Sequence, residues 1–93
     1  KAQRQEAAER RIKLKPLRQA LQNAERELDQ AHAKLADLQN ALSDPDLYQG
    51  ERKEELAELV REEGVAKSAL ATLEERWLEL QEELEHNEAL LAS

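Results

Sequence analysis

The chain contains no cysteine, no methionine and no phenylalanine, and Trp77 and Tyr48 are its only aromatic residues. Without cysteine there is no disulfide framework, no thiolate zinc site and no thiol nucleophile. Aromatics amount to 2 % of the residues, too few for the thick core that aromatic side chains build in a compact domain. Glycine and proline occur twice each, at Gly50, Gly64, Pro16 and Pro45. Nothing resembles a signal peptide, and no apolar run approaches the roughly 20 residues that span a bilayer. A cytoplasmic location is the expectation. So is an origin as a piece of a longer protein, since the sequence starts at Lys1 rather than at methionine.

Hydrophobic residues make up 40 % of the chain and charged residues 38 %. The bulk is Ala, Glu, Lys, Leu, Arg and Gln, the strong helix formers, a composition that points to long helices or a coiled coil. Leu14, Leu17, Leu21, Ala24, Leu28, Ala31, Leu35, Leu38 and Leu42 alternate at spacings of three and four, an a/d seam sustained over four heptads. Leu56, Leu59, Glu63, Ala66, Leu70, Leu73, Trp77, Leu80, Leu84, Asn87 and Leu91 repeat the alternation. Two members of this second seam are polar. Asn87 lies near the end, where a helix frays. Glu63 is followed by Gly64, which costs about 1 kcal/mol relative to Ala inside a helix and predicts a weak spot.

Between the seams, Ser43 or Asp44 can cap a turn that has Pro45 at its first position, and Gly50 suits the left-handed residue that ends it. Leu47 and Tyr48 are expected to fold back over the end of the seam. The expected fold is therefore all-α: an antiparallel two-helix coiled-coil hairpin with helix 1 over about 16–42, a tip over 43–50 and helix 2 over about 51–91. Two registers, one heptad apart, can pair the seams. The one centred on the tip at Leu47 sets Leu17 against Trp77, Leu21 against Leu73 and Ala24 against Leu70. Its flanking charges would pair Arg18 with Glu74, Glu25 with Lys67 and Lys34 with Glu62, and it is the expected register. The alternative has an Ala24–Trp77 layer and a Glu27–Arg76 pair. Pro16 is expected in the first turn of helix 1, or as a kink there, with residues 1–15 as a basic helical arm. Ala7, Ala8 and Ile12 on that arm are the candidates to cover the far end of helix 2. Such a hairpin is expected to be monomeric.

Little here can carry catalysis. His32 and His86 lie on different helices, and the many carboxylates occupy helix surfaces with no pocket to split their pKa values. A Gly-rich phosphate loop is absent. Trp77 reads as a seam residue ahead of a contact platform. The formal charge of −7 conceals an asymmetry: residues 1–18 hold seven cations and two acids, while residues 19–93 hold seven cations and nineteen acids. Arg4, Arg10, Arg11, Lys13, Lys15 and Arg18 are the candidate nucleic-acid contacts, able to neutralise phosphates without reading sequence. No aromatic stands among them to stack on bases. A protein–protein coiled coil with no nucleic-acid role is the alternative. A tRNA-binding arm like that of seryl-tRNA synthetases would favour a basic tip, and this tip is acidic.

Three stretches occur here in order: Leu14-Lys15-Pro16-Leu17 at the start of the first seam, Ser43-Asp44-Pro45-Asp46-Leu47-Tyr48 at the tip, and Glu74-Glu75-Arg76-Trp77-Leu78-Glu79-Leu80 late in the second. Together they resemble the C-terminal domain of the ABC-F ATPases, soluble ABC proteins with two nucleotide-binding domains, and most closely the Uup and YheS branch. The resemblance spans roughly residues 10–85. It implies a cytoplasmic parent that binds ATP outside this chain and works on or near the ribosome. It also implies a basic linker at about residues 1–15, and a hairpin that helps the parent engage DNA, ribosomal RNA or the ribosome.

Overall fold

The computed structural model describes residues 2–93. Two long helices, α1 (Ala2–Leu42) and α2 (Lys53–Ala92), flank one 3₁₀ turn (Pro45–Tyr48), and the described residues contain no strand. The helices lie antiparallel in a rod of 73 × 16 × 14 Å. Its radius of gyration of 20.8 Å compares with about 12 Å for a compact chain of this length.

Each helix is laid down by its leucine seam, and burial follows the seam. Leu14, Leu21, Ala24 and Leu38 of α1 are buried, as are Ala66, Leu70, Leu80 and Leu84 of α2 and Leu47 of the tip. Burying one such leucine is worth about 1.5–3 kcal/mol, which is why two exposed-faced helices stay together at all.

The register differs from the expected one. Leu21 and Ala24 share a buried cluster with Leu80 and Leu84, and Leu17, Ala20, Trp77 and Leu91 pack against it. Across the seam Trp77 donates its indole N–H to Glu25 Oε1 at 3.3 Å, and His32 Nε2 lies 4.0 Å from Glu74 Oε1. In the expected register Trp77 would stand about 12 Å further along the axis from Glu25. The contacts fit the register displaced by one heptad, with Leu21 facing Leu80, Ala24 facing Trp77 and Leu14 facing Asn87. The pairs Arg18–Glu74, Glu25–Lys67 and Lys34–Glu62 do not form, and Lys67 pairs along its own helix with Glu63 at 3.6 Å.

Volume explains the displacement. Both registers set leucines against Ala66 and against an α1 alanine, but only the displaced one sets the bulkiest side chain, Trp77, against an alanine, Ala24, instead of Leu17. Large against small is how a close-packed seam fills. The tip also takes more chain than expected. It runs to Arg52, and its 3₁₀ turn packs against α2, with Leu47 only 1 % exposed.

The tip's polar groups are closed locally. Asp44 caps the 3₁₀ turn, its Oδ1 accepting from the Asp46 amide at 3.0 Å. Ser43 Oγ donates to the Asn40 carbonyl at 2.7 Å, and Tyr48 Oη to the Leu42 carbonyl at 2.6 Å, which satisfies an acceptor left over at the end of α1. Tyr48 itself stays 58 % exposed and leaves the covering of the seam to Leu47. Gly50 has φ +73°, the left-handed conformation that glycine adopts without a Cβ penalty. Gly64 interrupts nothing: α2 runs through it.

Pro16 neither begins nor ends a helix. It lies inside α1, and residues 2–15 continue into 16–42 as one helix. An interior proline costs about 3 kcal/mol through its missing N–H and ring clash. Leu14 and Leu17 sit on either side of it, packed into the Leu80–Leu84 cluster, and that burial offsets the cost.

Candidate nucleic-acid interface

Continuity of α1 through Pro16 fixes where the arm's cations stand. Arg11, Lys15 and Arg18 follow Arg4 by seven, eleven and fourteen residues. At 3.6 residues per turn these four fall within an arc of about 60°, on a line about 21 Å long. All four are exposed. Among the described residues, no carboxylate comes within 4.0 Å of their charged atoms.

The other two candidates point elsewhere. Arg10 is half-buried and its guanidinium lies 3.9 Å from Glu6 Oε2. Lys13 is exposed but, with Glu6, Glu9 and Arg10, lines an open groove against Glu83, His86 and Asn87 of α2. The structure therefore splits six candidates into a line of four and a pair turned toward the acidic end of α2. A helical wheel drawn through residue 16 separates them; a helix starting at Pro16 does not.

The arm's apolar residues divide in the same way. Ala7 lines a second groove with Leu90 and Leu91. Ile12 is 74 % exposed, because it lies two residues, or about 200°, from the buried Leu14. Asn87 was expected to fray. It is instead 8 % exposed, and its Nδ2 donates to the Glu83 carbonyl at 2.8 Å, so the seam carries a buried, satisfied polar residue before Leu91. Its a/d position was the available signal.

At the opposite end Arg52 ties the tip to α2. Its Nε and one terminal nitrogen each donate to Glu55 at 2.8 Å, while the other terminal nitrogen donates to Asp44 Oδ2 at 3.3 Å. Donating to Glu55, and next to Asp44, raises the guanidinium pKa above its ordinary range, and the hydrogen bonds from Arg52 lower that of Glu55. The i, i+3 spacing of Arg52 and Glu55 was legible, but the reach back to Asp44 was not. Arg52, at the start of α2, is thus engaged by carboxylates, in contrast to the line on the arm.

No group of three or more His, Asp or Glu side chains among the described residues could hold a metal ion, and none of the described helices is long and apolar enough to cross a membrane. Compared with known protein families, residues 15–82 match the ABC transporter C-terminal domain. The chain belongs to that family. Comparison with curated proteins and with solved structures gives no match. The ABC transporter C-terminal domain match takes in the seam from Leu14's neighbour onward, the tip and most of α2. Lys15 and Arg18 lie within it, and Arg4, Arg10, Arg11 and Lys13 precede it.

Proposed function

We propose that this ABC transporter C-terminal domain is the accessory hairpin of a cytoplasmic, ABC-F-type ATPase of the Uup and YheS kind, and that it helps its parent engage nucleic acid or the ribosome. ATP binding and hydrolysis belong to the parent's other domains. The observation that carries this reading is the line of Arg4, Arg11, Lys15 and Arg18, exposed and without carboxylate partners on one face of a continuous helix. Such a line neutralises phosphates along one strand or across a groove edge, with no base readout. Arg10 and Lys13 supply charge at its side rather than direct contacts.

The test is binding of this chain to ribosomes, tRNA and duplex DNA across a salt series. Four phosphate contacts on B-DNA give a slope of log K against log salt of about −3.6, or a loss of roughly 100-fold between 50 and 200 mM. Replacing Arg4, Arg11, Lys15 and Arg18 with glutamate should abolish binding and the slope together. Unchanged binding would overturn the assignment. The second reading is a protein-docking coiled coil, favoured by the exposed Val60, Val65 and Leu78 on α2. It predicts binding to none of the three nucleic-acid probes at low salt.

A further inference from the structure

Three features coincide at the open end of the rod. Pro16 breaks the backbone hydrogen-bond ladder in the middle of α1, because it has no N–H to give the Ile12 carbonyl. None of residues 2–13 is buried, whereas Leu14 begins the buried seam. Beneath the arm lies a mostly polar groove lined by Glu83, His86 and Asn87, with Leu90 and Leu91 further out. Helix with that little to bury is marginal in water, since most helical stability in proteins comes from packing an apolar face.

We infer that Pro16 is a hinge and that residues 2–13 are a latch, whose docking on the end of α2 assembles the cationic line. The hinge divides the line: Arg4 and Arg11 lie on the latch, whereas Lys15, next to Pro16, and Arg18 beyond it do not. With the latch docked the four charges are collinear. With the latch undocked the line splits into two pairs on independent segments. A phosphate backbone that contacts all four then favours the docked state, and docking in turn raises affinity for the backbone, a reciprocal coupling. This regulation rests on the nucleic-acid reading proposed above; the hinge does not.

Amide hydrogen exchange, read residue by residue on the 93-residue chain with and without a 20-base-pair duplex DNA, tests both. In the free chain the rates should step at residue 16, with residues 2–13 exchanging on the order of 100-fold faster than residues 21–38. Pro16→Ala restores the missing hydrogen bond and should slow exchange of residues 2–13 by about tenfold or more. Duplex should slow the same residues in the original chain. In Pro16→Ala, where the latch is already closed, it should bind more tightly with a smaller change in exchange. Equal protection on both sides of residue 16, or arm exchange unchanged by Pro16→Ala, would overturn the hinge even if duplex binds. A step at residue 16 with no duplex binding would leave the hinge standing and overturn its coupling to duplex DNA alone.

Discussion

The two ends of this rod solve the same problem in opposite ways. At the tip every device closes: Asp44 caps the 3₁₀ turn, Ser43 and Tyr48 donate to carbonyls at the end of α1, Arg52 holds Asp44 and Glu55, and Leu47 is 1 % exposed. At the other end the seam carries the polar Asn87, the overlying arm has no fully buried residue before Leu14, and four cations stand unpaired by carboxylates. Both ends are helical and both are rich in charge. What separates them is satisfaction. A closed end uses its polar groups on itself, while an open end leaves its cations exposed to solvent.

The contrast can be broken most directly at Leu47. Leu47→Ala should destabilise the chain by about 3 kcal/mol, since a fully buried leucine is lost with its cavity. Leu90→Ala, at 39 % exposure near the open end, should stay within about 0.5 kcal/mol. Urea unfolding of both variants compares them, and equal losses would mean that the tip is no firmer than the open end. A double-mutant cycle sharpens the register between the ends. Leu21→Ala with Leu80→Ala should couple by about 1 kcal/mol, and Leu21→Ala with Leu73→Ala by less than about 0.5. The reverse order would restore the register centred on Leu47. The smallest effects are a pair of opposite sign at the glycines. Gly50→Ala should cost about 1 kcal/mol because of its positive φ. Gly64→Ala meets open space inside α2 and should add about 1 kcal/mol. Thermal melts read both, and a loss at Gly64 would show that the helix needs flexibility there.

Much of this was legible in the sequence. The a/d periodicity of Leu14 to Leu42 and of Leu56 to Leu91 named both helices and their seams. Pro45 after Asp44, and Gly50 beyond, named the tip turn and its caps. These features are local, and each is decided within a few residues of the chain. The candidate cations were legible as a set, but their division into four outward and two inward was not, since it depends on whether the helix passes through Pro16. Local propensity argues that it stops there. Burial of Leu14 and Leu17 against α2 outweighs that preference, and burial is not visible along one strand of sequence.

The sequence by itself determined that two amphipathic helices would pair antiparallel around leucines, because a heptad repeat leaves only one face to bury. It did not determine where along each other they would stop. A heptad repeat offers nearly equal leucine pairings at every shift of seven residues, and surface ion pairs of well under about 1 kcal/mol cannot choose between them. The tertiary structure decided by volume and by reach. Trp77 needs an alanine opposite, and the tip needs room for Leu47 beside α2. Both are met one heptad away from the register that flanking charges favoured, because filling space in a core outweighs pairing charges in water.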